Sequence, residues 1–116
     1  MEIKTEIMNE VLTFFLVSGR VDAVTAPQLE KEVLSILSVQ GKACVIDLEN
    51  VDFMSSAGLR VLLLCSKTSV TVKGKFALCG VQENIRKLLE TIGFLPLLEI
   101  YADRSSASDA ISKYFS

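Results

Sequence analysis

The sequence predicts an α/β domain: a mixed β-sheet with helices mainly on one face. Three observations carry this. Strand-like and helical segments alternate along the chain. The first two strand-like segments are separated by only a short polar turn. The stretch Ala43 to Leu48 is apolar at every position but Asp47. Alternation implies right-handed crossovers and a largely parallel sheet. The short turn adds an antiparallel edge, and an unbroken apolar run suits a central strand buried on both faces. With 116 residues, 50% of them hydrophobic, the chain is expected to form one domain over 1–116 around a real core.

Residues 2–8 and 11–18 are rich in Val, Ile, Thr, Phe and Leu, with Asn9-Glu10 as a hairpin turn and Gly19 as the end of the second strand. Thr25-Ala26-Pro27-Gln28 reads as a helix start, with a threonine cap, an early proline and a glutamine three residues on. Leu29, Val33, Ile36 and Leu37 continue it at helical spacing, and Gly41 stops it. After the central strand, Glu49 to Ser55 reads as a loop and a helix opens near Ser56, running to about Val72. Gly74 precedes a strand from Lys75 to Cys79. Glu83 to Thr91 is helical, with Ile85, Leu88, Leu89 and Ile92 on one side and Gly93 as its stop. Pro96 precedes a last strand, Leu98 to Tyr101. Ser106 with Asp109 three residues later opens a terminal helix packed by Ala110, Ile111 and Tyr114.

Composition narrows the chemistry. There is no histidine, which removes the commonest general base, metal ligand and pH switch. Cys44, Cys65 and Cys79 are far apart in apolar runs, with no C-x-x-C pair, so buried reduced thiols are expected rather than a metal or redox site. The formal charge of −2 is scattered without a basic stripe, which argues against a nucleic-acid partner. The start lacks a signal-peptide pattern, and the longest pure apolar run, Val61 to Cys65, is far short of a membrane span. A cytoplasmic protein with no membrane partner is the expectation.

One segment carries chemistry: Asp47-Leu48, then Phe53-Met54-Ser55-Ser56-Ala57-Gly58-Leu59. A buried strand feeds a helix through two serines and a glycine. The first turn of a helix has unpaired N–H groups and a positive field, which suit a serine cap and equally a phosphate on that serine. Gly58 would let a partner approach the backbone closely. From spacing alone the plain cap is the commoner outcome. The segment is no phosphate-binding loop, since both glycine-rich fingerprints are missing. Nor is it a serine hydrolase: no histidine exists to take the Ser56 proton and G-x-S-x-G is absent. Asp22 alone reads as a turn residue, and Asp47 as a buried group paired with a donor. In the helix after Ser56, Leu59, Leu62, Leu63, Ser66 and Val70 form one stripe, expected to face the sheet. Val61, Leu64, Cys65, Thr68 and Val72 form a second, which is a partner surface or is covered by neighbouring helices.

These residues resemble the signature of the STAS family, the sulphate transporter and anti-sigma factor antagonist domains. The similarity extends to Gly19-Arg20-Val21-Asp22 with Thr25-Ala26, and to Leu78-Cys79-Gly80-Val81 with the helix ending at Gly93-Phe94. The resemblance implies a STAS-like fold over nearly the whole chain and a binding protein rather than an enzyme. It implies an antagonist that binds an anti-sigma factor serine kinase and is switched off by phosphorylation on Ser56, with a serine phosphatase to reset it. It also admits a STAS-type module of a signalling complex or transporter regulator with no sigma-factor output. Ser56 matches the phosphorylated serine, Asp22 the acidic residue beside it and Gly58 the helix-start glycine. Many antagonists have aspartate where this chain has Ser55. The expected partner-binding set is Asp22, Ser55, Ser56, Ala57, Gly58, Arg60 and Leu64. No cofactor is expected, since ATP and magnesium would belong to the kinase.

Overall fold

A computed structural model describes all residues from Met1 to Ser116. Ten elements follow in chain order: β1 (Glu2–Ile7), β2 (Leu12–Val21), α1 (Ala26–Leu37), β3 (Ala43–Met54), α2 (Ser56–Thr71), β4 (Lys75–Cys79), α3 (Glu83–Thr91), a 3₁₀ turn (Leu95–Leu97), β5 (Glu99–Tyr101) and α4 (Arg104–Tyr114). The five strands form one sheet in the order β1-β2-β3-β4-β5. β1 is antiparallel to β2, and every other neighbouring pair is parallel. The hairpin turn is held by Asn9, whose Oδ1 accepts from the Val11 and Leu12 N–H groups, each at 2.8 Å.

Both faces of the sheet are covered, unequally. Phe15, Val17, Ile46 and Leu48 project to one side and meet α1 through Leu29 and Val33, α2 through Leu62 and Cys65, and α3 through Ile85 and Leu89. Leu12, Phe14, Val45 and Ala77 project to the other side and meet only α4, through Ala107 and Ile111. Successive side chains of a strand alternate between faces, so β3 between two helical layers must be apolar at both parities, as Ala43 to Leu48 is.

Several sequence expectations shift. β2 does not end at Gly19 but continues to Val21, and β3 runs through the expected loop Glu49–Ser55 as far as Met54. Register shifts at Leu16/Ser18 and Gly19/Arg20 let the two strands stay paired to their ends, with Gly19 at φ +95°. Such bulges insert an extra residue and break strict alternation, and Glu49, Asn50 and Asp52 are therefore exposed within a strand. The hydroxyl of Thr25 does not cap α1; it lies 3.0 Å from the Arg20 carbonyl. Gln28 bonds forward to Glu32 rather than back to the helix start. α4 begins earlier than expected, because Asp103 caps it by accepting from the Ser106 N–H at 2.8 Å. Ala107 and Ile111 bury it, whereas Tyr114 is exposed. β5 starts at Glu99, since Leu98 still closes the 3₁₀ turn around Pro96.

Candidate functional site

The site is built where β2 and β3 end side by side. Val21 and Met54 are register partners, and the Ser55 N–H donates to the Val21 carbonyl at 2.8 Å. That bond ties the exit of one strand to the start of α2. Asp22 and Ser56 therefore leave the same end of the sheet from adjacent strands. α3 steadies the same rim: Gln82 Nε2 donates to the Glu49 carbonyl at 2.8 Å and Asn84 Nδ2 to the Asp52 carbonyl at 2.9 Å.

The two serines differ sharply. Ser55 is the extended N-cap residue, at φ −83° and ψ 174°, and its backbone carbonyl accepts the Leu59 N–H. Its side chain makes no capping bond, and its Oγ is buried without a hydrogen-bond partner. Ser56 is the first helical residue and is exposed. Its hydroxyl stands in the first turn of α2, among N–H groups with no intrahelical acceptor. No acidic side chain occupies that turn.

Asp22 organises its own loop. Its Oδ1 accepts from the Val24 N–H at 3.0 Å and from the Thr25 N–H at 3.1 Å. The Thr25 bond above all holds its carboxyl below the ordinary aspartate range. Asp22 is thus the turn residue its position suggests, fixed at the rim by its own backbone. Asp47 is paired as expected: Oδ1 accepts from the Glu49 N–H at 2.9 Å, and Oδ2 lies 3.7 Å from Arg104 Nε.

Gly58 turns inward. It is buried, and a β-carbon there would lie 2.6 Å from Met54 Cγ and 2.8 Å from Val21 Cγ1. The glycine lets α2 sit tightly on the strand ends; the close approach is made by the protein's own core, not left open for a partner. The stripes of α2 are also rotated from the expected phase. Val61 and Cys65 are core, together with Gly58, Leu59, Leu62 and Ser69, whereas Val70 is 78% exposed. The cause is α1, which packs along the side of α2 and covers Val61. Leu64 remains at the surface, 39% exposed. It lines a shallow groove between α1 and α2 with Ala26, Pro27, Glu30, Ala57 and Arg60. The α1 side of that groove was not foreseen, since only the packing of two helices brings Pro27 and Glu30 beside Arg60. At the strand ends, the Arg20 guanidinium lies 3.9 Å above the Phe53 ring, a cross-strand pair hidden from sequence by the bulges.

No group of three or more Cys, Asp and Glu side chains is placed to hold a metal ion. The three cysteines are buried and unpaired, and burial pushes each thiol up to about 12. No helix is long and apolar enough to cross a membrane.

A five-stranded mixed sheet with three helices on one face and one on the other, its central strand β3 running into a helix that opens at Ser56, defines an α/β domain of the STAS type. The chain belongs to the STAS domain family, whose profile matches residues 2–107. Among its relatives is BtrV of Bordetella bronchiseptica, described as a candidate anti-sigma factor antagonist, 36% identical over 79% of each chain. The anti-sigma-B factor antagonist of Listeria monocytogenes is 34% identical over 72% of this chain and 74% of its own. The fold is that of the anti-sigma factor antagonist SpoIIAA. Its unphosphorylated form superposes with a TM-score of 0.81 at 18% identity over 97% of each chain. Its phosphorylated form, from Bacillus, gives 0.74 at 18% identity, over 95% of this chain and 99% of its own.

Proposed function

We propose that this protein is an anti-sigma factor antagonist of the cytoplasm, which binds an anti-sigma serine kinase and is released by phosphorylation of Ser56. The observation that carries the reading is the contrast at the start of α2: Ser56 is exposed in the first turn, while the Ser55 hydroxyl is buried. A kinase reaches only a hydroxyl it can hold in line with ATP. The Ser56 oxygen would form a bond to the γ-phosphorus as the bond to the β,γ-bridging oxygen breaks; ADP leaves and the hydroxyl proton passes to a kinase base. A serine phosphatase would return the chain to its binding form. The names of the relatives support the sigma-factor output.

The partner surface would combine the Ser56 rim with the groove between α1 and α2, where Arg60 and Leu64 offer a cation beside an apolar side chain. Asp22 would present its carboxylate at the rim. Ser55, Ala57 and Gly58 would act by shaping the helix start. Phosphorylation adds a charge of about −1.5 to −2 at neutral pH. At the start of α2 the unpaired N–H groups and the helix field tolerate it. Under a docked partner it must be desolvated, and a mismatch of about 4 kcal/mol weakens binding roughly a thousandfold.

The test is phosphopeptide mapping after incubation with the cognate kinase and ATP, alongside binding of modified and unmodified protein to that kinase. The expected result is label on Ser56 and loss of tight binding with unchanged circular dichroism. Label on Ser55 would move the switch by one residue. No label on either serine would overturn the switch, and no anti-sigma kinase captured by the unmodified protein would overturn the antagonist reading.

A further inference from the structure

We propose that the outer edge of β1 is a self-association surface, on which a second copy of this chain adds its own β1 antiparallel in one register. β1 is the terminal strand of the sheet and pairs only with β2. The Met8 N–H donates to the Leu12 carbonyl at 2.9 Å, one step beyond the pair Ile7↔Thr13. Antiparallel ladders exchange hydrogen bonds at alternate pairs, so Glu2, Lys4 and Glu6 bond inward to β2. The other side of β2 agrees, since the Val11 carbonyl accepts from Ala43 of β3. The N–H and C=O groups of Ile3, Thr5 and Ile7 therefore point away from the sheet. An unpaired edge of this kind is a template for another strand.

Charge selects the register. With a two-fold axis at Thr5, Ile3 of one copy faces Ile7 of the other, and Lys4 faces Glu6, each twice by symmetry. All outward backbone groups then find partners. A shift of two residues one way sets Lys4 against Lys4 and Glu2 against Glu6; the other way sets Glu6 against Glu6. Like charges directly opposite are destabilising and opposite charges stabilising. Glu6 is already held: its Oε1 accepts from Arg104 Nη1 at 2.8 Å, which leaves Oε2 for Lys4 of the second copy. Ile7, 73% exposed in the single chain, would gain an apolar neighbour in Ile3 of the second copy. Two five-stranded sheets would become one continuous sheet of two-fold symmetry, the commonest oligomer symmetry. None of the residues at the Ser56 rim belongs to this edge, so self-association and kinase binding are separable.

Sedimentation velocity over a wide range of concentration tests this. The wild-type chain is expected to show a reversible monomer–dimer equilibrium. Thr5→Pro removes one outward N–H and no bond to β2, so it should give a monomer with an unchanged circular dichroism spectrum. Lys4→Glu should weaken the dimer about tenfold or more, and the uncharged Lys4→Gln should weaken it less. If Thr5→Pro fails to fold, the charge variants decide. A wild-type chain that stays monomeric up to about 1 mM, a dimer that survives Thr5→Pro, or one indifferent to Lys4→Glu overturns the proposal.

Discussion

At the scale of single residues, the start of α2 assigns different work to two adjacent serines. Ser56 is exposed and makes no capping bond, so Ser56→Ala should change stability by no more than about 0.5 kcal/mol. Ser55 has a buried, unpaired hydroxyl. Removing an unsatisfied buried group costs nothing in lost bonding, so Ser55→Ala should be neutral or stabilising. Urea titrations of both variants check this; a loss of over about 1 kcal/mol for Ser56→Ala would give it the capping role that the structure assigns to neither side chain. Asp22 supplies a pH dependence. Its folded-state carboxyl titrates below the unfolded one, because the Thr25 and Val24 N–H groups favour the anion. The folded chain therefore binds fewer protons than the unfolded chain in that window. The contribution is complete above the ordinary aspartate pKa and is lost as pH falls through the lower folded value. Asp22→Asn should flatten part of the decline in stability below about pH 4, measured by thermal melts across pH.

At the scale of elements, α2 shows how neighbours set the phase of a helix. Its sequence carries apolar side chains almost all round, so periodicity alone admits more than one inward face. α1 selects the face by burying Val61, and the strand ends select it by closing on Gly58. Val61→Asp should accordingly unfold the domain or cost several kcal/mol, since it strands a charge in the core. Leu64→Glu should leave the urea midpoint nearly unchanged and weaken binding to the proposed kinase partner. Paired denaturation and binding measurements separate the two. A Leu64→Glu chain that fails to fold would make that position core and remove it from the groove.

At the scale of the whole molecule, the sheet is held between unequal layers. Three helices cover one face, whereas α4 alone covers the other. Ile111, 3% exposed, is its main anchor. α4 also carries Arg104, which bonds Glu6 of β1 and approaches Asp47 of β3. Ile111→Ala should cost about 2–4 kcal/mol, and hydrogen exchange should quicken first in α4 and then in the strands beneath it. A loss confined to α4, with the sheet still protected, would show that this layer is not cooperative with the rest.

Residue patterns alone determined the order of strands and helices, the central strand from Ala43, the boundaries of β4 and α3, and the helix start at Ser56. Each rests on local chemistry: an apolar run, a glycine stop, a helix start. Tertiary structure decided the rest. The ends of β2 and β3 read as turn and loop because their polar residues and Gly19 lack strand alternation, yet pairing with each other across two bulges holds them extended. Gly58 reads as an open approach and is a tight internal contact, because its neighbours Met54 and Val21 come from other elements. Which serine is buried and which is exposed follows from one backbone bond, Ser55 to Val21, between segments 34 residues apart. Sequence spacing reports what lies along a helix or strand; which face is inward is set by the surfaces that close over it.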